Sequence, residues 1–133
     1  TNTHYKDPAG LNDEGKSTAF DLAILAAYAL KKPIFNQIVK TPEYTIASSD
    51  GSVSHKLENS NRLIKEDEPL YYPYAIGLKT GFTPDAGHSL VAAAEKNGRK
   101  LVGVVLHTYE NTNDASAKEN RKLLDWGFNN YQF

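Results

Sequence analysis

Three runs decide how this chain folds: Ala75-Ile-Gly-Leu-Lys-Thr-Gly-Phe82, His88-Ser-Leu-Val-Ala-Ala-Ala-Glu95 and Lys100-Leu-Val-Gly-Val-Val-Leu-His107. Each is short, apolar at its centre and bounded by turn formers, which fits a strand better than a helix. Asn97-Gly98 lies between the second and third runs. It is a strong hairpin signal, because a two-residue turn of the favoured hand needs positive φ at both central residues. Leu101, Val102, Val104, Val105 and Leu106 are almost continuously apolar. That pattern predicts a central strand covered on both faces.

Upstream of these runs the pattern changes from strand to helix. Asn2 to Gly15 is polar and rich in turn formers and reads as irregular. Thr18-Ala-Phe-Asp21 has the form of a capping box with Asp in place of Glu, and it opens a helix over Ala19–Leu30. Leu22, Leu25, Ala26 and Ala29 mark one face, and Ile24 and Tyr28 make the other side apolar too, so burial on most sides is expected. Pro33 can begin a shorter helix reaching about Val39. Glu43–Ala47 and Val53–Leu57 read as a strand pair about the turn Ser48-Ser-Asp-Gly51. Asn59–Tyr74 is mostly loop. Downstream, Asp114 is an N-cap candidate for a last helix over about Ala115–Tyr131. Leu124, Phe128 and Tyr131 line one face of that helix, and Leu123 and Trp126 widen the stripe. The fold class is therefore α+β, with helices packed on an antiparallel sheet.

The 133 residues amount to one domain's worth of chain, 40% hydrophobic and 23% charged, with a net charge of -1. No basic run exceeds two residues, which argues against a nucleic-acid footprint. The absence of cysteine excludes disulfides and thiolate metal sites. There is no methionine, no signal-peptide pattern and no apolar stretch of membrane-spanning length. The expectation is a segment of a longer protein.

Lys79-Thr80-Gly81 arises by chance in roughly 3 of 100 chains of this size. Alone it reads as a surface strand bearing one lysine. Its flanks change that. Gly77-Leu-Lys-Thr-Gly-Phe-Thr83 is followed by Ala86-Gly87 and Ser89-Leu-Val-Ala-Ala-Ala94. Asn2-Thr-His-Tyr-Lys-Asp-Pro-Ala-Gly-Leu11 and Ser17-Thr-Ala-Phe-Asp-Leu-Ala23 precede it, as does Asn59-Ser-Asn-Arg-Leu-Ile64. Leu123-Leu-Asp-Trp-Gly-Phe128 closes the set. In this order, and over nearly the whole chain, these segments resemble the D-alanyl-D-alanine carboxypeptidases. Those are low-molecular-weight penicillin-binding proteins, serine peptidase family S11.

The resemblance implies that residues 1–133 are the C-terminal portion of a catalytic domain of the penicillin-binding-protein/β-lactamase-like transpeptidase fold. It implies a serine enzyme that removes the terminal D-Ala from peptidoglycan peptides through an acyl-serine intermediate, without a cofactor. Its partners would be a pentapeptide ending in D-Ala-D-Ala, β-lactams as inhibitors and the N-terminal half of the same domain. The whole protein would be exported to the cell envelope and membrane-associated. Lys79, Thr80, Gly81 and Phe82 are the implied substrate-binding residues. The chemistry of these side chains agrees: an ammonium complements a carboxylate, a hydroxyl can donate to it, and a glycine permits close backbone approach. The N–H of Phe82 would form half of the oxyanion hole.

The family also needs a nucleophile in S-x-x-K and a second serine in S-x-N. None of Ser17, Ser48, Ser49, Ser52, Ser54, Ser60, Ser89 or Ser116 has lysine three residues on or asparagine two residues on. The chain by itself is expected to be inert toward penicillin, and to fold stably only with the missing half. Ile76, Lys16 and Ser116 stand where relatives often have Asp, a neighbouring histidine and an arginine. Two rivals remain: a β-lactamase-like hydrolase and a non-catalytic wall-binding relative.

Other candidates read more plainly. His4, His55, His88 and His107 lack metal-ligand spacing and suit surface or strand positions, with His88 either at the cleft rim or at a solvated strand start. Asp13-Glu14 and Glu66-Asp67-Glu68 read as solvated charge. Tyr71-Tyr72-Pro73-Tyr74 reads as a loop packing aromatics at the domain edge, or as a groove wall. Arg62 either anchors the loop beside the Lys79 strand or is exposed.

Overall fold

The computed structural model describes residues 2–112 and 114–131. Helix α1 (Ala19–Ala29) and helix α2 (Pro33–Lys40) come first, then a two-stranded hairpin of β1 (Glu43–Ala47) and β2 (Ser54–Glu58). A 3-10 turn at Arg62–Ile64 leads to β3 (Ala75–Gly81), β4 (Ser89–Lys96) and β5 (Arg99–Val105). Helix α3 (Ala115–Asn130) ends the described chain. β3, β4 and β5 form an antiparallel meander in that spatial order. The α+β expectation holds, and each predicted strand lies within about two residues of its observed place.

The Asn97-Gly98 turn forms as expected, with φ of 52° and 74°. β5 is covered by α1 on one face and α3 on the other. It is nevertheless an edge of the three described strands, and β4 is the central one. Apolar continuity reports coverage of faces, not the number of neighbouring strands, so the central placement expected for this run is corrected.

Successive side chains of β4 alternate between two cores. Leu90, Ala92 and Ala94 join Leu63, Tyr72, Ala117, Leu124 and Phe128 on the α3 side. Ala93, with half-buried Val91, joins Ala26, Val39 and Leu78 on the side of α1 and α2. Tyr72 is buried and its hydroxyl donates to Asp125 Oδ1 at 2.7 Å. The aromatic loop therefore supplies core; it is not only an edge.

Four helix expectations need correction. α1 buries only Ala26, and Phe20, Ile24, Leu25 and Tyr28 are exposed. Leu123 and Trp126 on α3, and Tyr131 just past its end, are exposed, and the buried stripe is Ala117, Asn120, Leu124 and Phe128. Only half of the capping box forms. Thr18 Oγ1 accepts from Asp21 N at 3.1 Å, while the Asp21 carboxylate is occupied by Thr3 Oγ1 at 2.7 Å and Asn2 N at 2.8 Å. Those bonds, the Thr3 hydroxyl first, hold Asp21 below its usual pKa. Asp114 does precede α3, but its side chain caps nothing. It pairs with Arg62, from 52 residues earlier in the chain.

Candidate active-site cleft

β3 carries Lys79, Thr80 and Gly81, and Phe82 lies just past its last paired residue. Near its start, a bulge between Ala75 and Gly77 shifts the register. Gly77 takes a φ of 119°, and a Cβ there would lie 2.7 Å from Val39 O. Only glycine fits that close approach of β3 to the end of α2. The strand is thus seated firmly at its start and open at its far end. At Gly81 an added Cβ would meet nothing within 4 Å. The lack of a side chain there is not required by packing inside this chain.

Lys79 and Gly81 are exposed and Thr80 is half-buried. Lys79 Nζ donates to Thr80 O at 2.7 Å. Thr80 Oγ1 lies 2.5 Å from Ser60 Oγ. Phe82 stacks on His88, with ring centroids 4.2 Å apart and an interplanar angle of 23°. Thr83 Oγ1 donates to Asp13 Oδ1 at 2.5 Å and accepts from Ala86 N at 3.0 Å.

These residues border a cleft of about 720 Å³. Its other walls come from Ala9–Leu11, from the Ser60–Glu68 loop and from Ser116 at the start of α3. The Ala9 segment is shaped by Asp7, whose carboxylate accepts from the N–H groups of Asn12, Ala9 and Gly10 at 2.7–2.8 Å. That cage, with the Asn12 bond foremost, lowers the Asp7 pKa. The Ser60 loop is held by Arg62, which pairs with Glu68 and Asp114. Both carboxylates, Glu68 first, raise the Arg62 pKa further. Its charge is thereby answered inside the protein.

All four sequence-predicted residues line one cleft. His88 lines it too, at the rim and half-buried, instead of at a solvated strand start. Asp13 and Glu68 make specific contacts and are not merely solvated charge. In the sequence Ser60 appears within the Asn59–Ile64 motif and among the serines without S-x-x-K or S-x-N spacing, with no sign of a partner on β3. Its partner is 20 residues away, so no local pattern could reveal the contact. Among the described residues, no group of three or more His, Asp or Glu is placed to hold a metal ion. No described helix is long and apolar enough to cross a membrane.

A family model described as D-alanyl-D-alanine carboxypeptidase matches residues 1–110. The chain is 35% identical over 133 residues to the D-alanyl-D-alanine carboxypeptidase DacF of Bacillus subtilis, covering 98% of this chain and 32% of that protein. It is 34% identical to the carboxypeptidase DacB2 of Mycobacterium tuberculosis, covering 96% of this chain and 43% of that one. The Streptomyces K15 DD-transpeptidase structure superposes with a TM-score of 0.83 at 32% identity, over 96% of this chain and 48% of that one. Penicillin-binding protein D2 of Listeria monocytogenes, solved in a cefotaxime-bound form, gives 0.76 at 30% identity, over 95% and 48%. The chain thus spans less than half the length of each of these relatives. With its motifs in the family's order on a matching fold, the chain belongs to the D-alanyl-D-alanine carboxypeptidase family, peptidase family S11.

Proposed function

We propose that the protein containing this segment is a serine D-Ala-D-Ala carboxypeptidase that trims peptidoglycan peptides in the cell envelope. The carrying observation is the open far end of β3, where Lys79, Thr80, Gly81 and Phe82 meet one cleft. In this reading the peptide lies along β3 and its terminal carboxylate faces the Lys79 ammonium and the Thr80 hydroxyl. A serine in S-x-x-K, outside residues 1–133, attacks the scissile carbonyl carbon. The Phe82 N–H donates to the developing oxyanion; such a donor is worth about 10²–10³ in rate. The C–N bond to the terminal D-alanine breaks, and water then hydrolyses the acyl-serine. β-Lactams would acylate the same serine. The N-terminal half of the domain, supplying that serine, would cover the apolar side of α1.

The test is release of D-alanine from a pentapeptide ending in D-Ala-D-Ala, with covalent labelling by a fluorescent penicillin. The whole protein should do both, and Lys79→Ala should lower kcat/KM at least 100-fold. Full activity in Lys79→Ala would remove β3 from the site. Rapid hydrolysis of the penicillin, with no stable adduct, would favour the β-lactamase reading. An intact fold with neither activity would favour a wall-binding relative. A second reading, cleavage of D-Ala cross-links, is favoured by the D-alanyl-D-alanine endopeptidase of Pseudomonas aeruginosa, which is 35% identical over 95% of this chain. Cross-linked and linear peptides offered together distinguish the two.

A further inference from the structure

We infer that Ser60 is a positioning residue for carboxylate recognition, acting through the hydroxyl of Thr80; this rests on the carboxypeptidase reading above. The two hydroxyl oxygens are 2.5 Å apart, and both line the cleft. Ser60 is exposed but not loosely held. Asn59 before it accepts from Asn61 N at 2.9 Å and donates to Val39 O and Thr41 O at 3.3 Å. Asn61 after it is fully buried and accepts from Leu63 N at 3.1 Å. The Asn59 amide and the Asn61 Oδ1 bond backbone groups on either side, and these contacts hold the loop that presents Ser60 to β3.

Hydroxyl bookkeeping gives the contact its consequence. Each hydroxyl donates one proton and accepts through two lone pairs. Either hydroxyl can donate to the other, and when the Thr80 proton turns to a carboxylate oxygen, Ser60 donates to Thr80 in its place. A hydroxyl that already accepts is a better donor. Charge in the cleft makes this contribution matter. Arg62 is neutralised by Glu68 and Asp114, Lys65 faces Glu58 at 3.7 Å, and Ser116 is uncharged. Among the described residues lining the cleft, Lys79 is the lysine or arginine without a carboxylate partner. Recognition of an anion then falls on Lys79 and on the direction of the Thr80 O–H.

The experiment uses the whole protein in which this segment occurs, and compares an acyl-D-Ala-D-Ala peptide with its C-terminal amide. Ser60→Ala should raise KM for the free acid about tenfold, the size of one lost charge-directed hydrogen bond, and leave kcat and the amide nearly unchanged. Ser60→Thr keeps the hydroxyl and should restore the acid-to-amide ratio. Equal losses on acid and amide, or no change on either, would overturn the inference. Should Ser60→Ala not fold, Ser60→Cys, near-isosteric and a poor donor, reports the same ratio. If the wild type hydrolyses neither peptide, the carboxypeptidase reading fails and the role of Ser60 falls with it.

Discussion

On one face of the three-stranded sheet, Leu63, Tyr72, Leu124 and Phe128 close over Leu90, Ala92 and Ala94. On the other, Ala26, Val39 and Leu78 meet Ala93, and Leu30, Ile76, Val91 and Val102 stay only half-buried around them. Yet the second face carries the more apolar helix. α1 leaves Phe20 74% and Ile24 54% exposed, whereas Leu124 on α3 is 1% exposed. A buried side chain of this size contributes about 1.5–3 kcal/mol relative to an exposed one, so the two helices differ in what this chain alone lets them contribute. Apolar pattern reports that a surface seeks cover. It does not report whether the cover lies in the same 133 residues.

The largest effect should come from truncating the closed face. Leu124→Ala leaves a cavity between β4, β5 and α3 and should cost about 3 kcal/mol in urea unfolding. In the segment alone, where it folds, Ile24→Ala should cost under about 1 kcal/mol. In the whole protein the Ile24→Ala cost should rise to about 2 kcal/mol, if the proposed half-domain seats on α1. An equally small cost there would mean that the face is solvent-facing in the complete molecule.

Glycine substitutions sharpen the contrast by probing tight contacts on both sides. A Cβ at Gly103 would sit 2.2 Å from Asn120 Oδ1, the amide that bridges Leu90 O and Gly103 O. Gly103→Ala should cost about 1–3 kcal/mol by overpacking. Gly77→Ala meets the backbone oxygen of Val39 and a positive φ together, and should cost at least as much. In the whole protein Gly77→Ala should also lower activity, because it displaces the base of β3. Thermal melts give the first quantity and D-alanine release the second. A Gly77→Ala variant as stable as wild type would show that the open face relaxes freely.

The strands were legible because their information is local: apolar runs of strand length, and Asn97-Gly98 with the backbone it needs. The cleft was legible as far as β3, since Lys79 to Phe82 are consecutive. What escaped was set by distant partners. Asp114 looks like an N-cap but answers Arg62. Asp21 looks like half of a capping box but answers Thr3. Asp13 and Glu68 look solvated but hold Thr83 and Arg62. Tyr72 sits in a polar-aromatic loop whose burial depends on α3, about 50 residues later. Propensity cannot see such pairings, because they appear only after the sheet has formed.

A smaller effect separates the faces by pH. Tyr72 belongs to the closed face, and burial, followed by its bond to Asp125, raises its pKa well above the usual 10. The unfolded chain then ionises first. Stability should be level below about pH 10 and should fall as pH rises beyond it, toward the folded-state pKa. Tyr72→Phe should lose about 1 kcal/mol at neutral pH and show a flatter alkaline decline. An unchanged alkaline slope would mean that another group governs it.

The smallest expected effect lies outside both faces, at the tip of the β1–β2 hairpin. Every residue of these two strands is exposed, so the turn rests on polar contacts. Asp50 accepts from the Ser48 hydroxyl at 2.5 Å and from Ser52 N at 3.1 Å, and these bonds, Ser48 foremost, lower its pKa from 3.8 to about 2. A depressed carboxyl stabilises the folded turn above its unfolded pKa, and that contribution is lost as pH falls through about 2. The Ser52 and Val53 amide signals should therefore shift with a midpoint near pH 2. Asp50→Asn should abolish the shift. Amides of β4 should hold still over the same range, because no contact of Asp50 reaches either core. Movement of the β4 amides together with Ser52 would instead couple the hairpin to the sheet, most directly through Asn59, whose amide holds the end of α2.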